Sequence, residues 1–413
     1  MSGMRVVVIG SGIVGASAAF HLAGRGVEVT VVDGGHTGQA TAAGAGIVCP
    51  WVDHEDDAGW YALARAGAAY YGELAGLLGR GYARAGALVV GDDLAIDGST
   101  TGAAELSGGA GRGGSEGLRR VRELLERRRA GAPEMGEIVD VERPGLGGRG
   151  VPVLAPGLAA LYVPGAARVD GRVVRDALLA EAVRLGATVM PGEATLRPDG
   201  EVVVSHHPRP MEVGLGGSGT DSDGDRGGED DGVGGGRGDG GRVIPCDGVV
   251  VAAGAWSGEV CRPLGVRLEV WPRRGQILHL QLQGHDTAQW PMVLPQAGPY
   301  MVGFEGGRLV VGATVERVGF DPRVTAAGLA EVLGGALRVA PGLAGATVVE
   351  ARVGLRPVYG DGRRPLIAAV GDRVVVATGL SAYGLTAGPY AGLMAAAIVV
   401  GERPPIDPEP YMI

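Results

Sequence analysis

The residues best suited to do chemistry open the chain. Gly10, Gly12 and Gly15 stand in the order GxGxxG directly after the apolar run 6–9, and a second apolar run, 29–32, ends in Asp33. Each has a physical task. Gly10 permits a tight turn off the first run, Gly12 lets the backbone approach a pyrophosphate, and Gly15 lets a following helix pack close to the strand. A helix beginning at Ile13 and Val14 offers free N–H groups and a positive dipole end to phosphates. Asp33 is placed to accept hydrogen bonds from a ribose 2′-OH, which disfavours a 2′-phosphate. The chemistry implied is capture of a dinucleotide.

A second candidate is Arg356, set between apolar Leu355 and Pro357. A guanidinium forks two donors onto a carboxylate and so supplies orientation as well as charge. A salt-bridged surface arginine is the plain alternative. Tyr300, eight residues before Arg308, reads as a cross-strand aromatic. Cys49 reads as a buried, inert thiol. The cluster 53–57 (Asp-His-Glu-Asp-Asp) reads as a charged surface loop rather than a metal site, and His279, alternating with Leu278 and Leu280, as structural. Asp221, Asp223 and Asp225 imitate the opening of an EF-hand loop, but Arg226 stands where the turn glycine belongs and Gly232 where the bidentate acid belongs. No metal site is expected.

Composition narrows the classes. The chain has 413 residues, 46% of them hydrophobic, enough for two domains with substantial cores. Its 79 glycines far exceed the usual share. Lys and Asn are absent, which with abundant Gly, Ala, Arg and Val is the mark of GC-rich coding. Without Lys there is no Schiff base, hence no pyridoxal-phosphate chemistry, and no Walker lysine. A net charge of −9 argues against a nucleic-acid partner. Cys49, Cys246 and Cys261 share no ligand spacing or disulfide framework, so a reducing cytoplasm is expected. The first strand begins too early for a signal peptide, and the apolar run 391–400 is too short to span a bilayer. Peripheral membrane attachment and oligomerisation are left open.

The elements that must position these residues follow from periodicity. The opening unit predicts strand, helix over 16–23, and strand; Ala19 and Gly26 extend it to GxGxxGxxxAxxxxxxG, typical of FAD-binding βαβ units. Helices are expected over 60–78, 118–129 and 173–185, and from about Gly388; 99–117 reads as a Gly/Ser-rich loop. Residues 214–241, nearly all Gly, Asp, Glu and Ser, bury too little apolar surface to offset chain entropy and are expected to be disordered. Strands over 249–251 and 374–376 both end in small, Gly-containing turns at Gly254 and Gly379, so the nucleotide-binding domain should be discontinuous. Further strands lie between 268 and 314.

Four more segments, with the opening unit, carry a family resemblance: 42–47 (Ala-Ala-Gly-Ala-Gly-Ile), 272–276 (Pro-Arg-Arg-Gly-Gln), 354–357 (Gly-Leu-Arg-Pro) with 361–365 (Asp-Gly-Arg-Arg-Pro), and 379–386 (Gly-Leu-Ser-Ala-Tyr-Gly-Leu-Thr). In this order they resemble the D-amino-acid oxidase superfamily of FAD-dependent oxidoreductases, which includes glycine oxidase, sarcosine oxidase and D-amino-acid dehydrogenase. The resemblance implies an α/β plus α+β architecture. A glutathione-reductase-like Rossmann FAD domain (1–80, 152–264, 350–413, interrupted by 205–242) would join an antiparallel-sheet substrate domain (81–151, 265–349). Gly10, Gly12, Ile13, Val14, Gly15 and Asp33 would hold the ADP half, with Gly254 closing over it. Ala43, Gly44, Gly46 and Ile47 would pass the pyrophosphate and flavin. Gly379, Ser381, Tyr383, Gly384, Leu385 and Thr386 would bring N–H groups to the flavin pyrimidine.

The resemblance further implies hydride transfer from a substrate α-carbon to flavin N5, giving an imino acid that hydrolyses. Arg356 would grip the substrate carboxylate and Tyr300 would hydrogen-bond it. A D-amino acid is the expected substrate; glycine or an N-methyl amino acid is the near alternative, and a non-catalytic flavin- or nucleotide-binding module the distant one. Relatives that attach flavin to cysteine do so from the Gly354 motif, which has none here, so non-covalent FAD is expected. Leu380 and Ala382 replace a polar or basic pair of glycine oxidase. That leaves the substrate open, and the acceptor, O2 or a quinone, open too.

Overall fold

Residues 6–9 are buried on both faces because a strand of consecutive β-branched residues has no polar side to turn to water. The structure, a computed structural model, describes residues 3–53, 57–91, 115–146, 150–205 and 241–413. In it Arg5–Ile9 lies inside a six-stranded sheet, ordered Leu366–Ala369, Val374–Thr378, Gly248–Val251, Arg5–Ile9, Glu28–Asp33, Thr188–Pro191. All pairings are parallel except the edge strand Leu366–Ala369. Helices Ile13–Gly24, Gly171–Arg184 and Gly384–Val399 pack together over one face. There Val8, Leu22, Val31, Val250 and Met394 form one core, each large side chain worth about 1.5–3 kcal/mol on burial. The other face carries a three-stranded sheet, with Val7, Ile9, Leu196, Val202 and Val376 between the layers. Strand order and the discontinuous assembly are those of the Rossmann-type domain.

The second sheet has eight strands, ordered Thr347–Tyr359, Val270–Gln281, Arg308–Gly312, Tyr300–Gly303, Met292–Pro295, Ala87–Val90, Ala160–Val163, Val139–Val141. It is antiparallel but for one pair: Met292–Pro295 runs parallel to Ala87–Val90, two segments joined by a long excursion through the first domain. Ala326–Val339 covers one face through Val332, Ala336 and Val339; Leu125 of Ser115–Arg129 packs in the cluster containing Met292 and Val302. Strand pairing corrects the division drawn from sequence at two places. Ala160–Val163 and residues 350–359 of Thr347–Tyr359, assigned to the cofactor domain, hydrogen-bond into this second sheet.

Helix boundaries differ modestly. Ile13–Gly24 starts at the glycine turn itself, Gly171–Arg184 is capped by Asp170, and Ser115–Arg129 takes in the last residues of the expected loop, whose residues 99–114 lie outside the described ones. The last helix starts at Gly384, not Gly388, with Pro389 inside it. Proline has no N–H to give the carbonyl of Leu385, and the Tyr71 hydroxyl donates to that carbonyl instead, at 2.5 Å. With its preceding turn the segment Ser381–Val399 is, by length and composition, apolar enough to cross a bilayer, unlike the run 391–400 alone. Here 67% of its apolar window is buried, with Ala391, Ala395 and Ala396 against the first core. The acidic stretch is flanked by an antiparallel pair, Val202–Ser205 with Arg242–Ile244, so the ends of the insertion drawn at 205–242 are strand residues. The disorder expected over 214–241 falls, up to residue 240, outside the described residues.

Candidate active site

A continuous cavity runs from the first glycine turn to the second sheet. Gly10, Gly12, Ile13, Val14, Asp33 and Gly254 line one end. Ala43, Gly44, Gly46 and Ile47 line its middle, and Tyr300, Arg356, Ser381, Tyr383, Gly384, Leu385 and Thr386 its far end. Of the residues assigned to cofactor or substrate from sequence, Gly15 and Gly379 alone lie behind the wall. A Cβ on Gly15 would fall 1.9 Å from the Gly10 carbonyl oxygen, so Gly15 sets the strand–helix approach. A Cβ on Gly379 would fall 2.7 Å from that of Tyr359.

At the first end Asp33 accepts from Ser11 N–H at 2.7 Å, Ser11 Oγ–H at 2.5 Å, Gly35 N–H at 2.7 Å and Gln39 Nε2 at 3.1 Å. Burial pushes its pKa up, but these bonds outweigh it and hold the carboxyl below its usual range. Asp33 is thus an ionised acceptor beside the helix N-terminus. One first-turn donor is already engaged: Ile13 N–H gives to Thr41 Oγ1 at 3.0 Å. His36 and Trp256, not singled out from sequence, stack at 4.6 Å along this end.

At the far end the long strands Val270–Gln281 and Thr347–Tyr359 pair in a register that sets Arg273 opposite Arg356 and Gly275 opposite Gly354. Arg356 Nη1 donates to the Thr314 carbonyl at 3.1 Å. The Tyr300 pKa is raised by burial, while the nearby Arg356 guanidinium pulls it back. Charge and hydroxyl therefore form one donor pair on the cavity wall. Behind them a buried network fixes Thr314. Gln276 N–H donates to Thr314 Oγ1 at 2.9 Å, Thr314 Oγ1–H to Glu316 at 2.7 Å, and Arg274 bridges Glu316 and Asp321 at 2.5 and 2.9 Å. The two ion pairs of Arg274 and the bonds through Thr314 Oγ1 restrict this corner to few geometries, although Arg274 Nε is buried without a hydrogen-bond partner among the described residues. The last helix presents its N-terminus here; Thr386 Oγ1 donates to the Ile47 carbonyl at 2.9 Å, and Arg273 donates to Ser381 Oγ.

One reading from sequence is overturned. Asp53 is not in a solvated surface loop: it lines the cavity, accepts from the Tyr383 hydroxyl, and burial pushes its pKa up to about 7. Arg128 Nη1 donates to the carbonyls of Trp51 and Asp53, each at 2.7 Å, pinning this turn. Asp57 caps helix Ala58–Leu78 through Trp60 N–H at 2.9 Å; residues 54–56 lie outside the described ones. The apolar run 47–52 leading into Asp53 was the available signal, hidden by the acids that follow it. Cys49 lines the cavity with its thiol pushed well up by burial, so it stays protonated and inert.

The cradle fits an FAD. It has a wall without side chains at Gly10 and Gly12, an ionised acceptor at Asp33, a helix N-terminus between them, and a second helix N-terminus at the other end. The model of the "FAD dependent oxidoreductase" family matches residues 5–398. The chain is 37% identical to the uncharacterised oxidoreductase YurR of Bacillus subtilis over 98% of this chain and 97% of that one. It is 29% identical to the glycine oxidase of Pseudomonas putida over 98% and 97%. Among solved structures it is similar to iminodiacetate oxidase from Chelativorans sp. BNC1, at 38% identity and TM-score 0.82, covering 99% of this chain and 98% of that one. A glycine oxidase structure from Geobacillus kaustophilus, 22% identical with TM-score 0.74 over 99% and 98%, shares the fold. Two-domain architecture, dinucleotide cradle and a family match over nearly the whole length agree: the chain belongs to the FAD-dependent oxidoreductases of the D-amino-acid oxidase superfamily.

Proposed function

We propose that this protein oxidises the α-C–N bond of a small amino acid, with non-covalently held FAD as cofactor. The observation that carries the reading is the Arg356–Tyr300 donor pair facing the same cavity as the dinucleotide cradle. Bound FAD supplies a hydride acceptor at N5. The chain's own residues hold and align the substrate. Arg356 forks onto the carboxylate, Tyr300 adds a third donor, and apolar Val52, Val89, Val121 and Leu294 close the wall and exclude water. Alignment at the reacting carbon is worth several kcal/mol of barrier. The N-terminus of Gly384–Val399 offers positive potential where negative charge would grow.

A D-amino acid is the substrate expected from sequence. A second reading, glycine or an N-substituted glycine, is favoured by a specific observation: the relatives of known activity at 38% and 29% identity are an iminodiacetate oxidase and a glycine oxidase. O2 or a quinone would reoxidise the cofactor, and the cytoplasm is the proposed location. The test is an anaerobic panel of D-amino acids, glycine, sarcosine and iminodiacetate, followed by readmission of O2 or a quinone. At least one member should bleach the flavin; bleaching by none would sink the reading in favour of a non-catalytic module.

A further inference from the structure

The cavity has a cationic group in Arg356 and, on the wall formed with Cys49, Val52 and Tyr383, an acidic one in Asp53. We propose that Asp53 receives the substrate's amine, accepting a hydrogen bond from its ammonium and then taking its proton, while the carboxylate of the same molecule sits on Arg356. The inference deepens the amino-acid reading above and rests on it.

A carboxylate has about four lone-pair sites, and the Tyr383 hydroxyl fills one of them here. Three groups face Asp53 from the elements packed around it. Tyr383 comes from the turn before the last helix, Cys49 from the end of strand Ile47–Val48, and Arg128 from helix Ser115–Arg129. The thiol is protonated and brings no charge. Arg128 attracts the carboxylate and ties down the backbone of its turn, but burial outweighs Tyr383 and Arg128 together, so the site holds an anion at a cost. An acid lining a partly dry cavity is stabilised by a cation that binds beside it, and an amino acid brings one.

Loss of hydride from the α-carbon needs the nitrogen lone pair, hence a neutral amine. In the proposed step one N–H bond of the ammonium breaks and its electron pair stays on nitrogen. The proton forms an O–H bond on Asp53, so the ammonium–carboxylate pair becomes neutral amine and neutral acid. A base with pKa near the working pH is suited to this transfer, and burial has placed Asp53 at about 7.

The test uses FAD-loaded protein and Asp53→Asn, which keeps an acceptor for Tyr383. Stopped-flow reduction by an amino acid from the panel, taken across neutral pH, should show in the wild type a step near 7 in reduction rate over Kd. The variant should lose the step, with that ratio reduced roughly 10- to 100-fold, as expected for a charge-assisted bond. Glycolate, a carboxylate without an amine, should perturb the flavin spectrum of both proteins with Kd values within about twofold. Tyr383→Phe, which removes the bond that lowers the Asp53 pKa, should move the step to higher pH. An unchanged pH profile in Asp53→Asn, or glycolate binding lost with it, overturns the proposal. If no amino acid reduces the wild type, the amino-acid reading fails and this one with it. If the wild type is reduced and both variants follow its profile, the Asp53 assignment alone falls.

Discussion

The guanidinium of Arg356 lies against the backbone of Gly275 on the neighbouring strand. A Cβ built at Gly275 falls 2.4 Å from Arg356 Cζ. The atoms it would strike are the far end of a flexible side chain, so Gly275→Ala should fold and keep FAD but displace Arg356 from Tyr300 and the Thr314 carbonyl. The expected result is a KM for carboxylate substrates raised about 10-fold or more, from loss of roughly 1.5–3 kcal/mol of charged hydrogen bonding, with little change in flavin content. Steady-state kinetics beside a flavin-to-protein absorbance ratio decide it.

Removing the guanidinium itself should cost more. Arg356→Ala gives up two forked donors and the charge, about 2–4 kcal/mol in kcat/KM, or roughly 30- to 1000-fold. Arg356→Lys restores charge without the fork and should recover a minor part. An Arg356→Ala variant with unchanged kcat/KM would remove this residue from the site.

Gly15 makes the matching test at the other end. Its built Cβ lies 1.9 Å from the Gly10 carbonyl oxygen, a backbone atom with nowhere to go. Gly15→Ala should separate helix Ile13–Gly24 from strand Arg5–Ile9, lower Tm and reduce FAD retained through gel filtration. Retention at wild-type levels would mean that the helix shifts without disturbing the cradle.

The two ends were not equally legible in the sequence. Strand, glycine turn, helix and acid follow one another locally between residues 6 and 33, so their chemistry could be read before any contact was known. Arg356 was legible as a donor fork, but its pairing with Tyr300 depends on sheet register, which no single segment encodes. Asp53 was misread because the acids at 55–57 that follow it masked the apolar run before it, and because the Tyr383 hydroxyl that it meets comes from 330 residues away. The parallel pair Met292–Pro295 with Ala87–Val90 was missed for the same reason: its partners are about two hundred residues apart.

Half-buried His21 and buried His279 should each weaken the fold as pH falls below about 6.5, while Asp53, whose folded pKa is raised to about 7, acts in the opposite direction over the same interval. Burial, the largest influence on each, lowers His21 and His279 from 6.5 to about 4; Arg25 acts further on His21 and Arg352 on His279. Because each folded pKa lies below the unfolded one, the unfolded chain binds more protons across the interval. The contribution of each histidine is therefore full above about 6.5 and is lost as pH falls toward 4, by as much as roughly 3 kcal/mol. His279 allows the test without loss of a partner. Its Nε2 is buried with no hydrogen-bond partner among the described residues, and it sits between the core residues Leu278 and Leu280. His279→Leu should leave Tm at neutral pH equal or higher and flatten its fall between pH 6.5 and 4. Thermal unfolding across that interval measures it, and a variant curve parallel to the wild type would show that protonation of His279 does not drive the loss.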